Sequence, residues 1–302
     1  MSDQDPKPTP SGLPAAVAAY TMWGLLPLYL ILVNSVPPFE FVGWRIIWTL
    51  PLCLIIVAFR KQFGEVAAAL RCRKTMLTLL ASSMLIAVNW LAYIWAIQNG
   101  YVYAGSLGYY INPLFNVLLG TLLLGEKLSR RQWIAVGFAA SGVATLAAGA
   151  VTTLWISLTL AISFGTYGLL RKQVAVGSLS GLTIESTILL LPAAAIAFYY
   201  AGLPQGSAFT KDVTLSVYIM LGGVVTAVPL LLFAVAARRM DYSSLGFIQF
   251  LAPTLVFLLG LFVFKEELKP VQLACFILIW IALALFVWDL WSRRKKPVPA
   301  KI

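Results

Sequence analysis

The sequence predicts an all-α membrane protein of ten transmembrane helices, arranged as two inverted repeats of five helices each. Three observations lead to this prediction: the apolar composition, the placement of the basic residues, and a motif that recurs 140 residues later. Of the 302 residues, 61% are hydrophobic and 11% are charged, whereas a soluble domain is about 45–50% apolar and about 25% charged. One soluble core cannot hide this excess, so lipid must surround most of the chain.

Ten apolar segments approach the roughly 20 residues that a helix needs to cross a bilayer. We expect the first segment to be retained, because its apolar run exceeds the about 7–15 residues of a signal sequence. Two boundaries depend on short polar gaps, at Gln98-Asn99-Gly100 and around Gly149–Thr153. The predicted spans are 13–33, 41–59, 76–97, 101–124, 132–148, 151–171, 181–200, 215–236, 243–264 and 271–291.

The basic residues predict the orientation of these spans. Eighteen of the 22 Lys and Arg residues lie in the two tails and in the loops near 60–75, 125–131, 171–180 and 237–242, whereas three lie in the other loops. Cytoplasmic loops carry an excess of Lys and Arg. We therefore expect a multi-pass protein of a bacterial inner membrane with both termini cytoplasmic. The basic run Arg293–Lys296 is then a stop-transfer flank rather than a nucleic-acid patch.

A motif of the form P-x6-G-x5-E-x-L occurs twice, 140 residues apart. A weaker match relates Trp23–Leu26 to Tyr167–Leu170. Five spans separate each residue from its counterpart, and because five is odd the second half must insert upside down relative to the first. Inverted repeats of this kind recur in transporters. The first copy is Pro113, Gly120, Glu126 and Leu128, and the second is Pro253, Gly260, Glu266 and Leu268.

The repeat divides the chain into four parts. These are a cytoplasmic tail at 1–12, a first repeat at 13–148, a second repeat at 151–291 and a basic cytoplasmic tail at 292–302. We expect Glu126 and Glu266 to close their repeats structurally, through an adjacent helix end or a basic neighbour.

The paired motifs resemble the EamA repeats of the drug/metabolite transporter superfamily, and the resemblance extends from the first span to the tenth. Within that superfamily, five segments resemble the RarD group, whose members are described as chloramphenicol-sensitivity permeases. The resemblance implies a secondary transporter, or permease, that moves a small metabolite or drug-like molecule by alternating access. Trp44 stands where the group would have His, so no titratable His acts there. The five segments are W-G-L-L-P-L-Y (23–29), G-W-R (43–45), N-W-x-x-Y (89–93), G-Y-Y-I-N-P-L (108–114) and F-G-x-Y-G-L-L-R-K (164–172).

Two charged side chains lie inside predicted spans, where charge is costly and usually functional. Arg45 binds an anionic group of the substrate, or it extends to the outer interface beside Glu40. Glu185 carries a coupled proton, or it forms a static salt bridge with Arg171 or Lys172. A direct Arg45–Glu185 pair is not expected, because the two residues lie near opposite ends of their spans.

Uncharged polar and aromatic side chains form the expected lining of a cavity among spans 1, 3, 4, 6, 8 and 9. Helical spacing places Asn89 and Tyr93 on one face of span 3, and it does the same for a polar set on span 4. Pro113 interrupts that set and is expected to make the helix discontinuous. The alternative is that these groups only hold helices together. The predicted substrate site is Arg45, Asn89, Trp90, Tyr93, Tyr109, Asn112, Asn116 and Tyr167, with Glu185 as the coupling residue.

The residue types argue against an enzyme. The chain has no His, no CxxC spacing among its three cysteines, no DDxxD and no G-x4-GK[ST] motif. These are the elements of common metal, diphosphate and nucleotide sites. We expect no catalytic residue, cofactor, metal or nucleic-acid partner; the expected partners are a small-molecule substrate and the lipid bilayer. A homodimer stays open, as does a non-transporting structural or accessory role.

Overall fold

The computed structural model describes residues 11–294, and within this range the chain is all-α, without strands. The predicted tails at 1–10 and 295–302, with the end of the basic run, lie outside the described residues. Three 3₁₀ turns occupy Ile31–Val33, Ala148–Thr153 and Ala208–Thr210. The α-helices are α1 (Leu13–Leu30), α2 (Pro38–Phe59), α3 (Phe63–Arg71), α4 (Arg73–Gln98), α5 (Val102–Leu122), α6 (Arg130–Ala147), α7 (Leu154–Gln173), α8 (Ser178–Ala201), α9 (Val213–Arg239), α10 (Tyr242–Gln249), α11 (Leu251–Phe262) and α12 (Pro270–Arg294).

Among the described residues, eight helical stretches are long and apolar enough to cross a membrane, by length and composition. One of them, Arg130–Gln173, has 44 residues and contains α6 and α7. These helices separate at Ala150, whose backbone is non-helical at φ −131° and ψ 26°. Helix α5 is not among the eight, since its Gly, Tyr and Asn residues lower its hydropathy. Each of the ten predicted spans corresponds to one helix, or to α10 and α11 together for the ninth.

The predicted connections occur where the polar gaps indicated, with two differences. Between α4 and α5, Gly100 has a positive φ of 78° and turns the chain. The predicted loop at 60–75 contains an unpredicted helix, α3. Helix α5 runs without a break through Pro113, so the expected discontinuity there is wrong. The break occurs instead in the ninth span at Phe250, where the backbone N–H of Phe250 donates to the carbonyl of Phe247 in a 3₁₀ pattern.

Helices of the two halves begin at a nearly constant separation. Helices α2, α4, α5 and α6 begin at residues 38, 73, 102 and 130, and α8, α9, α10 and α12 begin 140 residues later, at 178, 213, 242 and 270. Helices α1 and α7 begin at residues 13 and 154, a separation of 141. The match between Trp23 and Tyr167 has a separation of 144, so it is three residues out of this register.

Both copies of the Pro–Gly–Glu–Leu motif adopt the same local backbone. The N–H of Glu126 donates to the carbonyl of Gly120 at 2.9 Å, and the N–H of Glu266 donates to the carbonyl of Gly260 at 2.9 Å. The residue before each glutamate has a positive φ, 67° in the first copy and 57° in the second. The sequence motif therefore specifies a recurring helix-ending turn.

Helix packing is unchanged when the two halves are exchanged. Helix α2 packs on α8, α5 on α10, and α6 on α12. Helix α1 packs on α9 and α11, while its counterpart α7 packs on α4 and α5. Helix α2 also packs on α9, and α8 on α4.

The segments that were predicted to share one side of the membrane meet at one end of the bundle, here called the Arg171 end. Both ends of the described chain lie there, because Gly12 packs on α9 and Ser292 contacts α6. The opposite end, at which α2 begins, is called the Arg45 end; there Glu40 contacts Ala208. The contacts at the Arg171 end are Gly12–Arg239, Glu65–Gly177, Glu126–Tyr242, Lys172–Met240, Arg238–Val176 and Arg131–Ser292.

Candidate functional site

Arg45 lies on α2, about 10 Å along the helix from its start at the usual rise per residue. Its guanidinium carbon lies 4.4 Å from the ring centroid of Trp90 on α4, which is a cation–π contact. Among the described residues, the guanidinium donates no hydrogen bond, and its enclosed Nε has no acceptor. Glu40 does not neutralise it within 4.0 Å, and instead accepts hydrogen bonds from Trp44 Nε1 at 3.2 Å and from the Ala208 N–H at 2.8 Å.

Three tyrosines surround the charge of Arg45. The phenol groups of Tyr29, Tyr93 and Tyr109 are its electrostatic neighbours. The rings of Tyr93 and Tyr109 meet edge to face with centroids 5.5 Å apart. Tyr109 is 39% exposed although it lies beside Arg45 within the bundle. The arrangement is a basic, aromatic pocket at the Arg45 end.

A second feature is a small cavity among α2, α4, α7, α8 and α9. Its volume of about 10 Å³ is close to that of one water position. Trp90 lines this cavity on one side and contacts Arg45 on the other. The predicted residues Tyr167 and Glu185 also line it, together with Thr49, Ser186, Thr226, Ile46, Ile86, Leu182, Leu189 and Leu230.

Glu185 is buried below this cavity and forms an ion pair with Arg171, as expected. The distance from Arg171 Nη1 to Glu185 Oε1 is 3.6 Å, and both side chains are almost fully buried. Ser82 Oγ donates to Glu185 Oε1, and Tyr167 Oη lies 3.5 Å from Oε2. Lys172 does not take part, because its Nζ donates to the carbonyl of Met240 at 2.7 Å.

The three predicted asparagines are buried between helices. Asn89 donates from Nδ2 to the carbonyl of Leu160 at 2.9 Å and to Ser163 Oγ at 3.1 Å, which joins α4 to α7. Asn116 donates to Gln249 Oε1 at 2.8 Å and joins α5 to α10. Asn112 is 2% exposed, and its Oδ1 has no partner among the described residues. The contacts of Asn89 and Asn116 are those of the helix-joining alternative.

Comparison with known proteins identifies the family. Residues 10–148 match the EamA-like transporter family. Protein RarD of Salmonella typhimurium is 40% identical over 301 residues, which cover 97% of this chain and 100% of that protein. The chain belongs to the EamA-like transporter family. An uncharacterized transporter of Bacillus subtilis, YojE, is 39% identical over 293 residues, covering 95% of this chain and 98% of the relative. These relatives and the apolar helices make the chain a multi-pass bacterial membrane protein.

A solved crystal structure shares the fold of this EamA-like transporter. The TM-score is 0.72 at 18% sequence identity, and the match covers 93% of this chain and 99% of the other. At that identity the likeness concerns the fold alone.

The structure of this EamA-like transporter adds residues that the sequence analysis did not select. Ser82 contacts Glu185, and Trp48 has a buried Nε1 without a partner among the described residues. Ser82 lies seven residues before Asn89 on the same helix face, and Trp48 lies three residues after Arg45. Helical spacing from the selected residues would therefore have found both.

Proposed function

We propose that this chain is a secondary transporter that moves a small molecule by alternating access of two inverted halves, residues 13–148 and 151–291. The constant separation of helix starts and the packing that is unchanged on exchange of halves support this division. In this proposal all ten predicted segments cross the membrane, and the Arg171 end faces the cytoplasm. Inverted halves of this kind can exchange conformations around a central site.

One observation carries the proposal: the two matched glutamates have different contacts. Glu126 accepts from the backbone N–H groups of Tyr242 at 2.6 Å and Ser243 at 2.8 Å, at the start of α10. Its counterpart Glu266 is exposed and has no hydrogen bond to α5 among the described residues. A carboxylate at a helix N-terminus is stabilised by the N–H groups and by the helix dipole. The Arg171 end is therefore fastened and the Arg45 end is not.

The matched glycines show the same difference. A side chain carbon added at Gly120 would lie 3.0 Å from the backbone nitrogen of Ser243 on α10. One added at Gly260 would meet only Glu266 of its own turn within 4 Å. The motif thus holds α5 against α10 at one end and is unoccupied at the other. In the second state Glu266 would cap α5 while Glu126 leaves α10.

In this mechanism the predicted site residues divide into three groups. Arg45, Trp90, Tyr93 and Tyr109 bind the substrate at the Arg45 end, and Tyr167 extends the site into the cavity. Asn112 supplies an unpaired acceptor nearby on α5, while Asn89 and Asn116 hold the helices that move. Glu185 carries the coupled proton, since it lines the cavity and Ser82, Tyr167 and Arg171 hold its carboxylate.

Counterflow in proteoliposomes tests the proposal. Vesicles containing the purified protein are preloaded with one solute class at a time, and uptake of the labelled solute is followed. A carrier gives transient accumulation that Glu185→Gln preserves, because exchange needs only the loaded carrier to reorient. Uptake driven by a proton gradient should be lost in the same variant. A protein that gives no counterflow for organic acids, amino acids, nucleobases or amphipathic aromatics would be a structural membrane protein.

A further inference from the structure

The charge of Arg45 determines what this pocket can hold. Its guanidinium is partly accessible, and its N–H groups donate to no described protein atom. Among residues 11–294, Glu185 is in an ion pair with Arg171, and Glu40 is occupied by Trp44, Ser207 and Ala208. A cation in an apolar surrounding without a counter-ion favours an anionic ligand.

The walls around this charge are aromatic and carry unused donors. Trp90 covers one face of the guanidinium. The hydroxyls of Tyr93 and Tyr109 donate to no protein atom among the described residues, whereas Tyr29 Oη donates to the carbonyl of Tyr218 at 2.8 Å. The free hydroxyls can donate to an anion, and the exposed ring of Tyr109 can pack on a flat apolar group.

We propose, building on the transport function above, that the pocket of Arg45, Trp90, Tyr93 and Tyr109 binds a monoanionic carboxylate with an aromatic body. The carboxylate pairs with the planar fork of Arg45 and accepts from the Tyr93 and Tyr109 hydroxyls. The aromatic body packs on the tyrosine rings. Inorganic phosphate fits less well, because one cation leaves its second charge unbalanced. An amino-acid zwitterion fits less well too, because the neighbouring carboxylates are already engaged.

The test is a titration of the purified protein in detergent, read by tryptophan fluorescence and thermal stability. Indole-3-acetate and phenylacetate carry both features, acetate carries only the charge, and indole only the ring. Octanoate carries the charge on a flexible chain, as a free fatty acid would. Phenylalanine and inorganic phosphate are the zwitterionic and divalent probes. We expect the two aromatic carboxylates to bind at least tenfold more tightly than every other probe.

Arg45→Gln should weaken binding of indole-3-acetate by about tenfold or more and leave binding of indole unchanged, since a hydrogen-bonded charge pair typically contributes that much. Arg45→Lys should be intermediate, because it keeps the charge but loses the fork. Arg131→Gln is the matched control, because Arg131 also covers a tryptophan, Trp288, at 4.5 Å but lies at the Arg171 end. Tyr109→Phe, which keeps the ring, should weaken the carboxylates several-fold and provides the same test if Arg45→Gln does not fold.

Equal affinity for indole and indole-3-acetate would overturn the proposal, as would tighter binding of phenylalanine, octanoate or phosphate. Undiminished binding of the aromatic carboxylates in folded Arg45→Gln, or in Tyr109→Phe, would also overturn it. Transport itself is scored separately by counterflow with the other solute classes. If another class shows counterflow that Arg45→Gln does not alter, the ligand assignment fails and the transport function stands.

Discussion

At the residue scale, the buried Arg171–Glu185 pair is the strongest charge interaction that the described helices contain. Two charges removed from water cost free energy that their attraction offsets only when geometry and hydrogen bonds are good. Here the carboxylate has Ser82 and Tyr167, and Arg171 Nη2 donates to the carbonyl of Ser178 at 2.8 Å. The pair joins α7 to α8 beneath the cavity, so it affects both stability and function.

A double-mutant cycle measures the contribution of this pair. Glu185→Gln or Arg171→Gln alone leaves a buried charge without its partner, so each should lower the unfolding free energy by about 3–5 kcal/mol. The double variant should be more stable than either single variant, because both charges are gone. Thermal unfolding in detergent gives the values. Purely additive losses would show that the two side chains do not stabilise each other.

At the element scale, Gly181 lets α8 approach the Arg171 side chain of α7. A carbon added at Gly181 would lie 2.8 Å from Arg171 Cζ, closer than real contacts allow. Gly181→Ala should therefore displace the guanidinium and destabilise the protein by about 1–3 kcal/mol, the usual effect of overpacking. The loss should shrink in an Arg171→Ala background. Melting curves of the four proteins measure both effects.

Gly137→Ala in α6 is the matched control for this substitution. Gly137 is exposed, and a carbon added there meets nothing within 4 Å. Alanine should be neutral or stabilise by up to about 1 kcal/mol through helix propensity. An equal loss at both glycines would mean that helix contacts at Gly181 are not responsible.

Local sequence predicted the helices well, because apolar length and polar gaps act within one segment. Helix α3 was missed, since Phe63–Arg71 is too short and polar to be recognised by the apolar length of a span. The break at Phe250 was assigned to the wrong half, because a proline marks both copies and packing decides which helix yields. The fates of Asn89 and Asn116 were not predictable either. Their partners lie 71 and 133 residues away, so only the packing of whole helices decides whether they face a cavity.

At the scale of the whole molecule, the three cysteines offer a direct test of orientation. Cys53 and Cys275 are fully buried, whereas Cys72 is exposed at the Arg171 end. If that end is cytoplasmic, an impermeant maleimide should label Cys72 in inside-out vesicles and not in intact cells. Lys211→Cys in a Cys72→Ser background should give the reverse pattern. Labelling of both positions from one side would contradict the inverted arrangement.

The reactivity of Cys72 should depend on its neighbour Thr75. A hydrogen bond from the Thr75 side chain is the main cause that lowers the pKa of Cys72 below its ordinary value. The thiolate is the nucleophile, so a lower pKa gives a faster reaction at pH values below the pKa. Thr75→Val should raise the pKa and slow labelling near neutral pH. The pH dependence of the maleimide rate in both proteins measures the shift; superimposed profiles would exclude the hydrogen bond as its cause.

The central claim is that the matched halves exchange conformations, and distances between spin labels test it without a known substrate. In a background with the three cysteines replaced by Ser, one pair joins Leu123 to Asp241 at the Arg171 end. The counterpart pair, 140 residues away in each case, joins Val263 to Tyr101; all four positions are exposed. Double electron–electron resonance measures both distances.

Glu126→Gln weakens a charge-assisted cap worth about 1.5–3 kcal/mol, which corresponds to a population change of roughly tenfold or more. The account predicts that this variant lengthens the 123–241 distance and shortens the 101–263 distance together. Glu266→Gln, the matched control, should leave the fastened Arg171 end in place. Distances at both ends that stay single and unchanged in Glu126→Gln, or that change in the same direction, would contradict alternating access by inverted halves.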